Sequence, residues 1–520
     1  MIYRSPRPDV AIPDVSLCDH VLMHASERGE KPALIDGVTG ATITYAELDE
    51  MSGQAASALL HDGLRPGEVV ALISLNEPMW AVACYAILRA GGVVTLINPL
   101  LTAREINSQL QDSEATTVIS MPGIRSKIAD ATIDTAVVRH YVLGDHGRNS
   151  LSSPRQSSCG SFPSIASNSL AALPYSSGTG GTSKGVMLSH RNLVACLEQH
   201  RACWQITESD VLCATVPLFH IYGFNVIMNS ALSAGATLIT LPRFELHAYL
   251  EIVERHRVTR GHLAPPILLA LAQAPNLDDF DLSSMTLAMS GAAPLDADVA
   301  TQVAKRTGIR IVQGYGMTET SPGTHGVGDH DLDVPVESVG KLLPCTEARV
   351  VDPATGCDVE PGQPGELWIR GPQVMLGYLG RPDATSETVT DAWLHTGDIV
   401  EVRSDNFYVI DRLKELIKVS GFQVAPAELE AVLLSHPRVR DVAVLGVPHS
   451  NGGEVPKAFV VRDGSVDADE LLAWTSAKVA TYKQVREIDF IDEVPKSPTG
   501  KILRRVLKDA ALENEKGRET

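Results

Sequence analysis

The chain has 520 residues, 44% of them hydrophobic, and this size and composition predict large buried cores and two or more domains. Its formal net charge is -19 and its basic residues form no long cluster, which argues against nucleic-acid binding by electrostatic attraction. A small anionic substrate would have to be held by locally placed positive charge.

The cysteines and the N-terminus indicate a reducing compartment. The eight cysteines include no C-x-x-C pair, so we expect buried thiols. The first ten residues lack the apolar core of a secretory signal. The most apolar stretch, residues 80–101, is interrupted by Arg89, Gly91 and Gly92, and it predicts a buried helix followed by a strand. We therefore expect a cytoplasmic protein without stable membrane insertion.

Strand-like and helical runs alternate through the first third of the chain. The pattern predicts strands at residues 69–74, 93–97 and 117–120, with helices at residues 77–90 and 103–110 between them. Alternation of this kind builds a parallel sheet covered by helices, so the predicted fold class is α/β. Gly91 and Gly92 follow the first helix where a left-handed cap is needed.

A serine-rich stretch at residues 150–170 predicts a loop that leads into a glycine-rich motif at residues 175–190. The glycines allow backbone N–H groups to surround an anion, the hydroxyls add donors, and Lys184 adds a positive charge, as phosphate handling requires. The motif differs from a P-loop, because Ser183 precedes Lys184 and Gly185 follows it. Taken alone, it is also compatible with a flexible surface turn.

At residues 313–320, two glycines flank a tyrosine and are followed by a hydroxyl and a carboxylate. Tyr315 could stack on a purine, Thr318 could donate to a phosphate, and Glu319 could hold magnesium. The alternative for this segment alone is a strand-to-loop turn with Tyr315 in the core.

The chain changes character near Lys414. Pro426 begins a predicted helix through Leu434, and strands are predicted at residues 442–447 and 458–461. These elements suffice for a small α+β domain of about a hundred residues. We predict an N-terminal domain at residues 1–413 and a C-terminal domain at residues 414–520.

Two loops carry further candidate residues. A tight glycine turn at residues 393–398 presents Asp398 where it could accept both hydroxyls of a ribose, although an exposed turn aspartate is the alternative. Residues 494–505 form a loop punctuated by proline and glycine from which Lys501 would project. Without context, this basic cluster is typical of a solubilising tail.

Together and in this order, the motifs resemble the adenylate-forming enzymes: acyl-CoA synthetases, luciferases and peptide-synthetase adenylation domains. The shared segments are the glycine-rich loop, Gly-Tyr-Gly-Met-Thr-Glu, Thr-Gly-Asp, Asp-Arg-Leu-Lys-Glu-Leu-Ile-Lys and Pro-Thr-Gly-Lys. Within that superfamily, the segments at residues 219–223, 421–430 and 453–456 are most similar to 4-coumarate:CoA ligases and their bacterial relatives. The resemblance covers the chain from near Pro32 to near Lys508.

The resemblance implies an acid-thiol ligase with ATP, Mg²⁺ and coenzyme A. It implies that Lys501 contacts the carboxylate and the α-phosphate, and that His220 lies beside the acyl carbonyl. Lys418 and Gln423 would face the adenylate and its phosphate. A large N-terminal domain of mostly parallel sheets would carry a small mobile C-terminal domain that swings about a hinge at Lys414.

The resemblance also implies the nucleotide site. Glu319 would ligate magnesium, and Asp398 with Arg412 would bind the ribose. The remaining predicted nucleotide contacts, to phosphates and adenine, are Ser176, Ser177, Gly178, Thr179, Gly180, Gly181, Thr182, Lys184, Gly291, Ala292, Ala293, Gln313, Gly314, Tyr315, Gly316 and Thr318. Gly180 and Ser183 stand where threonine and proline are usual in the family.

The predicted acid pocket combines glycines, apolar side chains and a few polar groups. Its members are Ile221, Tyr222, Asn225, His262, Met289, Gly291, Gly314, Gly316, Pro322, Gly323 and Thr324. Tyr222 and Asn225 could receive a ring hydroxyl, and glycine-lined walls suit a flat aromatic ring. The chain departs from plant coumarate ligases at Gly323 and Thr324, where those carry bulky aliphatics, and at His262, where an apolar residue is common.

These features predict a ligase acting on an aromatic acid such as a hydroxycinnamate or benzoate. The main rival is a medium-chain fatty acyl-CoA synthetase, which needs the same machinery and a longer apolar tunnel. A loader of an acyl carrier protein is a further alternative. A non-catalytic nucleotide-binding protein is disfavoured, because binding alone would not require Lys184, Glu319, Asp398 and Lys501 together. A luciferase-like oxygenase is less favoured still.

Overall fold

The computed structural model describes residues 1–144, 161–177, 183–419, 422–448, 454–497 and 500–510. Within these ranges, the side chains of Ser177, Lys418, Phe422, Gln423 and Tyr482 lie outside the description.

The helices are distributed over the whole described chain. They are α1 (Leu17–Leu22), α2 (Ala25–Arg28), α3 (Tyr45–His61), α4 (Pro78–Arg89), α5 (Ala103–Asp112), α6 (Arg125–Ala131), α7 (His190–Cys203), a π-helix (Tyr222–Asn229), α8 (Ser230–Ala234), α9 (Leu246–His256), α10 (Pro265–Gln273), α11 (Ala297–Thr307), α12 (Pro382–Thr388), α13 (Pro426–Leu434) and α14 (Ala468–Ser476).

The strands are short and numerous. They are β1 (Tyr3–Arg4), β2 (Pro32–Asp36), β3 (Thr42–Thr44), β4 (Val69–Ile73), β5 (Val93–Leu96), β6 (Thr117–Ser120), β7 (Arg139–Val142), β8 (Leu170–Leu173), β9 (Tyr175–Ser177), β10 (Ser183–Ser189), β11 (Val211–Ala214), β12 (Thr237–Thr240), β13 (Arg260–His262), β14 (Leu287–Ser290), β15 (Arg310–Gly316), β16 (Gly323–Gly326), β17 (Lys341–Leu342), β18 (Glu347–Val351), β19 (Gly365–Arg370), β20 (Gly377–Tyr378), β21 (Val389–Thr390), β22 (Trp393–Arg403), β23 (Asn406–Arg412), β24 (Ile417–Val419), β25 (Phe422–Val424), β26 (Val439–Pro448), β27 (Glu454–Arg462) and β28 (Glu487–Phe490).

Two mostly parallel sheets form the centre of the N-terminal domain. One has the order β20-β10-β8-β5-β4-β6-β7, with β9 paired to β10, and its strands from β8 to β7 are parallel. The other has the order β17-β16-β15-β14-β13-β11-β12-β2-β3, parallel from β15 to β2. The predicted α/β class and the alternating elements of the first third are confirmed.

Helix α4 illustrates how the sequence sets these elements. It begins at Pro78, whose missing N–H is not needed in the first turn, and it is buried along almost its whole length. It ends at Arg89, and Gly91, two residues later, has a φ of +78°. The N–H of Gly92 then bonds the carbonyl of Ile87 at 2.9 Å, so the predicted left-handed cap is present.

A third sheet was not predicted from the sequence. It has the order β1-β18-β19-β22-β21, with β23 paired to β22, and all its described pairs are antiparallel. Its core contains Val350, Leu367, Val400 and Phe407. The sequence predicted Asp398 just beyond a tight turn, but Asp398 lies within β22 of this sheet, and Gly397 before it has a φ of +71°. Arg412 lies opposite Asp398 in β23.

The C-terminal part forms the predicted small α+β domain. Strands β26, β27 and β28 form one sheet, β24 and β25 form a two-stranded ribbon, and α13 begins at Pro426 as predicted. Leu429 and Leu433 of α13 pack with Val444 and Val460 in its core. A helical turn over residues 504–510 follows Lys501.

Burial is deepest between the two parallel sheets. Trp80, Tyr45, Tyr85 and Phe224 are among the largest fully buried side chains, and the rings of Trp80 and Phe224 lie 6.0 Å apart. Over the ranges that the structure describes, no helix combines the length and the apolar character needed to cross a lipid bilayer.

The described cysteines are all free thiols. Cys18, Cys84, Cys196, Cys203 and Cys213 are buried, as predicted. The prediction is wrong for Cys357, which is exposed because it lies at the end of a turn after β18, and Cys345 is only partly covered.

Candidate active site

Strands β9 and β10 bring Lys184 and Ser176 opposite each other. The two residues pair in the antiparallel register, and the Lys184 ammonium lies 4.7 Å from the centroid of the Tyr378 ring. The predicted phosphate contacts Gly178, Thr179, Gly180, Gly181 and Thr182, and the side chain of Ser177, lie outside the described residues. The described ends of the glycine-rich motif therefore place one cation beside an aromatic face.

Glu319 is the acidic centre of this region. It is only 5% exposed, and its Oε1 accepts hydrogen bonds from the Ser176 hydroxyl at 3.0 Å and the Tyr378 hydroxyl at 2.9 Å. Thr318 begins the 3-10 turn that carries Glu319. Both described hydrogen bonds to the side chain use Oε1, so Oε2 is available to a ligand.

Tyr378 was missed by sequence reasoning. It binds Glu319 through its hydroxyl and Lys184 through its ring, and thus joins the two predicted charged residues. The two-residue strand β20 that carries it pairs with β10. A lone tyrosine after Leu-Gly gives no motif, so only the pairing of β20 with β10 shows its place.

Asp398 occupies a second buried polar cluster. Its Oδ2 accepts a 2.5 Å hydrogen bond from the Tyr315 hydroxyl, and its Oδ1 lies 3.3 Å from Nε of Arg412. Burial raises the pKa of Asp398, while Arg412 and Tyr315 favour its charged form. Tyr315 itself packs edge-on against His325, with ring centroids 5.6 Å apart.

The predicted adenine residues follow the adjacent parallel strands β14 and β15. Gly291, Ala292 and Ala293 come directly after β14, and Gln313 and Gly314 lie in β15. Ligands bind at the carboxyl ends of strands in open α/β sheets, so this placement suits a nucleotide. The Gln313 amide already donates to the carbonyl of Val336 at 2.6 Å. Ala292 has a φ of +74°.

His220 lies in the segment between β11 and the π-helix. Asn76, which sequence reasoning did not identify, braces that segment: its amide donates to the carbonyls of Ala214 and Val216 and accepts from the N–H of Leu218. Burial, with a contribution from Lys501, lowers the pKa of His220 to about 4. The ring is therefore neutral near pH 7.

The tautomer of His220 follows from its hydrogen bond. Nδ1 accepts from the backbone N–H of Tyr222 at 3.2 Å, so in the neutral ring Nε2 carries the proton. His220 can thus donate a hydrogen bond to an anionic or carbonyl oxygen. Gly223, one residue further on, lies against the Pro217 carbonyl, and a Cβ at this position would clash with that backbone.

Lys501 reaches this site from the C-terminal domain. Its pKa is lowered by burial and by Arg412, whereas Glu415, Asp398 and Glu319 favour its charged form. The preceding Gly500 has a φ of +85°, and a Cβ built on it would lie 2.6 Å from Cγ of Pro266 in the N-terminal domain. The loop therefore packs closely on the larger domain, and the structure brings Lys501 together with the predicted Asp398, Arg412, Glu319 and His220.

Two other predicted active-site residues lie on the ribbon of β24 and β25. Lys418 and Gln423 face each other in its register. Their side chains are outside the described part of the structure, so their roles stay predictions.

The predicted acid pocket is lined by close backbone contacts. A Cβ on Gly314 would lie 2.8 Å from Sδ of Met289, and one on Gly291 would lie 3.7 Å from the Tyr222 ring. Gly316 lies directly against Pro322. Ile221 and Met289 are buried. Glycines at these positions allow neighbouring groups to approach the backbone closely, since a Cβ on Gly314 or Gly316 would clash with them.

Two predicted pocket residues have polar groups that are already used. The Asn225 amide donates to the carbonyls of Ser321 and Leu193 and accepts from Asn229, so it is not free to receive a ring hydroxyl. The Thr324 hydroxyl lies within hydrogen-bond distance of the Tyr315 carbonyl and of His325. Tyr222, in contrast, makes only long contacts, 3.3 Å to His262 Nδ1 and 3.5 Å to the Met289 carbonyl.

No three His, Cys, Asp or Glu side chains of the described residues form a group that could hold a metal ion. Glu319 is nevertheless suited to Mg²⁺, which is commonly held by one or two carboxylates together with substrate phosphates and water. Its free Oε2, close to the phosphate-binding strands, fits that coordination.

Residues 22–379 match the family described as AMP-binding enzyme, and residues 428–501 match the AMP-binding enzyme C-terminal domain. The chain is 40% identical over 523 residues to 4-coumarate--CoA ligase 5 of Oryza sativa subsp. japonica, covering 98% of this chain and 97% of the relative. Similarity thus extends over both domains.

Solved structures support the same relationship. ATP-bound MatB from Rhodopseudomonas palustris has a TM-score of 0.89 at 31% identity, covering 96% of this chain and 99% of that chain. Its apo form has a TM-score of 0.77. The anthranilate CoA ligase AuaEII in complex with anthranoyl-AMP has a TM-score of 0.88 at 26% identity, covering 96% and 98%. The structural similarity is thus higher to the ATP-bound form of MatB than to the apo form.

We expect Asp398→Asn to stabilise the protein at neutral pH in the absence of nucleotide. Because burial raises the pKa of Asp398 in the folded state, stability is lost as the pH rises above the unfolded pKa, near 4. A neutral amide removes this loss. The variant should melt at a higher temperature than the unmodified protein at pH 7, and the gain should shrink towards pH 4.

The control is Asp405→Asn, an exposed carboxylate in the turn between β22 and β23 with a φ of +63°, which asparagine tolerates. It should leave the melting temperature unchanged at both pH values. A lower melting temperature for Asp398→Asn at pH 7 would contradict the role assigned to burial.

Proposed function

Since the chain belongs to the family of AMP-binding enzymes, we propose that it is an ATP-dependent acid:CoA ligase acting on an aromatic acid. In the first half-reaction, the carboxylate attacks the α-phosphate of ATP, forming acyl-AMP and releasing pyrophosphate. In the second, the thiol of CoA attacks the acyl carbon and AMP leaves. The position of Lys501, within the electrostatic reach of Asp398, Glu319 and His220, is the observation that carries the proposal.

Adenylation requires two anions to approach each other. The carboxylate and the triphosphate repel, and negative charge gathers around the α-phosphorus in the transition state, so donors and cations must converge there. Lys501 supplies a mobile ammonium from one domain, and Lys184 supplies one from the phosphate-binding strands. The neutral His220 donates a hydrogen bond from its Nε2–H to the carboxylate oxygen. The positive charge of the site is carried by Lys184 and Lys501.

The nucleotide is held by the two buried clusters. Asp398 accepts the ribose hydroxyls with Arg412 beside it, and Tyr315, fixed by its bond to Asp398, packs at the adenine. Glu319 would hold Mg²⁺ through Oε2, and the ion would neutralise the phosphates and the leaving pyrophosphate. Thr318 and the glycine-rich motif complete the phosphate contacts.

Thioester formation makes a different demand on the site. The CoA thiol has to reach the acyl carbon, and Lys501 and its loop occupy space beside it. We infer that the C-terminal domain, residues 414–520, turns about Lys414 relative to residues 1–413 and withdraws Lys501. Lys418 and Gln423 would then act at the adenylate from the ribbon next to the hinge.

Gly291, Gly314 and Gly316 add no side chain to the predicted pocket, and such walls suit a flat aromatic acid such as a hydroxycinnamate or a benzoate. The anthranilate ligase, whose acid is also aromatic, supports the same choice. A medium-chain fatty acid and transfer to an acyl carrier protein stay alternatives. The cytoplasmic location predicted from the cysteines stays a prediction.

A panel of acids tests the proposed function. The protein is incubated with ATP, magnesium, CoA and 4-coumarate, benzoate, salicylate or octanoate, and both pyrophosphate release and free CoA thioester are measured. We expect thioester with at least one aromatic acid and less with octanoate. A wide preference for octanoate would overturn the aromatic assignment. Pyrophosphate release with transfer only to a carrier protein would overturn CoA as acceptor.

We predict that Lys501→Ala slows acyl-AMP formation by two to three orders of magnitude, which corresponds to about 3–4 kcal/mol for one oriented charge in a closed site. Thioester formation from synthetic acyl-AMP should continue, because Lys501 has withdrawn at that step. Single-turnover assays of each half-reaction separate the two effects.

The matched control is Lys508→Ala, an exposed lysine in the helical turn that follows Lys501. It should change neither rate. An equal loss of both half-reactions in Lys501→Ala would contradict the two-conformation mechanism.

A further inference from the structure

Helix α7 places a histidine against the predicted acid pocket. His200 is 8% exposed, and its Nδ1 lies 2.8 Å from the carbonyl oxygen of Cys196, one turn earlier in the helix. A carbonyl can only accept, so Nδ1 carries the proton. Burial lowers the pKa of His200, which keeps the ring neutral at pH 7. Its Nε2 is therefore a hydrogen-bond acceptor with a free lone pair.

Gly323 is the reason that His200 can occupy this place. A Cβ built on Gly323 would overlap the His200 ring, with Nε2 only 2.7 Å away. The ring edge that carries the acceptor nitrogen thus lies against Gly323, a predicted pocket residue. Glycine at this position leaves the edge of the imidazole ring where a side chain would otherwise stand.

A second histidine lies close to the first. His262 is 1% exposed, packs at 5.0 Å from the Trp204 ring, and is near enough to His200 for the two to influence each other's charge. Burial lowers the pKa of His262 to about 3. Its Nδ1 contacts the Tyr222 hydroxyl, and its Nε2 has no hydrogen-bond partner in the described structure.

A buried unpaired ring nitrogen is unfavourable and calls for an explanation. When the Tyr222 hydroxyl donates to Nδ1 of His262, the unpaired Nε2 is an N–H donor. The region then offers one acceptor, on His200, and one donor, on His262. A hydroxyl group, which both donates and accepts, complements this pair.

We propose that His200 is a specificity-determining residue that selects acids carrying a hydrogen-bond donor, a hydroxyl or amino group, on the ring. The inference rests on the proposed function, because it assigns a substrate feature to the same acid pocket. His262 supports the selection by binding the oxygen or nitrogen of that substituent.

The chemistry of the pair disfavours the other classes of acid. An alkyl tail would leave the buried nitrogens unpaired, and a site built to bind a hydroxyl rejects the analogue that lacks it. A second carboxylate on the substrate would meet the lone pair of His200 and two rings that resist protonation. A methyl ether keeps the substituent oxygen but has no O–H to donate. Comparing it with the hydroxylated acid therefore distinguishes hydrogen-bond donation from the polarity of the substituent.

The test compares two series of three acids, and the acids of each series differ only in one ring substituent. The first series is 4-coumarate, its 4-methoxy analogue and cinnamate, and the second is salicylate, 2-methoxybenzoate and benzoate. We expect kcat/KM for a hydroxylated acid to exceed that for its parent and its methyl ether by about 10- to 100-fold in at least one series. In His200→Leu, that ratio should fall at least tenfold while turnover of the parent acid is retained. His200→Gln, which restores an acceptor, should recover part of the ratio.

Gly323→Ala provides a second, independent variant, because its methyl group displaces His200. Gly323→Ala should lower the ratio of kcat/KM between the hydroxylated acid and its parent. The double variant Gly323→Ala with His200→Leu should lower that ratio no further than Gly323→Ala alone. The control is His190→Leu, which removes another buried histidine of the same helix, whose Nδ1 accepts from the backbone N–H of Leu17 in α1 at 3.1 Å. This control should leave the acid ratio unchanged.

The outcomes distinguish a failure of the proposed function from a failure of the selection by His200. If no acid supports pyrophosphate release, the proposed function is wrong. If aromatic acids turn over but hydroxylated, methoxylated and parent acids are used equally, or His200→Leu leaves the ratio unchanged, the selection by His200 is wrong. Preference for a dicarboxylic acid would overturn it as well.

Discussion

The proposed active site depends on a lysine of the small domain that lies against the large domain. Lys501 lies on a loop of the small domain, yet the charges that set its pKa include Asp398, Arg412 and Glu319 of the large domain. A buried ammonium is costly unless opposite charges accompany it. The protein supplies these only in part, because Arg412 opposes the carboxylates. Under the proposed function, the anionic substrates would add the missing negative charge and favour closure of the small domain.

The cost of burying charged groups also explains the arrangement of the other polar residues of the site. Arg504 of the small domain forms ion pairs of 2.7 Å with Glu415, next to the proposed hinge at Lys414, and of 2.5 Å with Glu430. His220 is neutral near pH 7, so it adds no positive charge beside Lys501. Tyr378 and Tyr315 each fix one carboxylate through a hydroxyl, and both hold these groups in place before substrate arrives.

The sequence predicted the charged residues of the site better than their partners. Lys184, Glu319, Asp398 and Lys501 stand in motifs whose glycines and prolines reveal loops, and the parallel sheets follow from alternating elements. The partners Tyr378, Asn76 and His200 lie in ordinary-looking strand, loop and helix sequence, and only tertiary pairing places them at the site. The antiparallel sheet was missed because its strands do not follow a strict apolar–polar alternation. The hydrogen bonds of the Asn225 amide were missed because its carbonyl partners lie 32 and 96 residues away.

The contact of Gly500 with Pro266 offers the most direct test of domain closure. Gly500→Ala combines an unfavourable φ of +85° with a clash against Pro266, whereas Gly464→Ala, in the same domain with a φ of +83°, has open space around its Cβ. Both half-reactions are measured by single turnover. The account predicts that Gly500→Ala slows acyl-AMP formation at least about tenfold more than Gly464→Ala, with both variants converting synthetic acyl-AMP to thioester normally. Equal rates of adenylation in the two variants would contradict it.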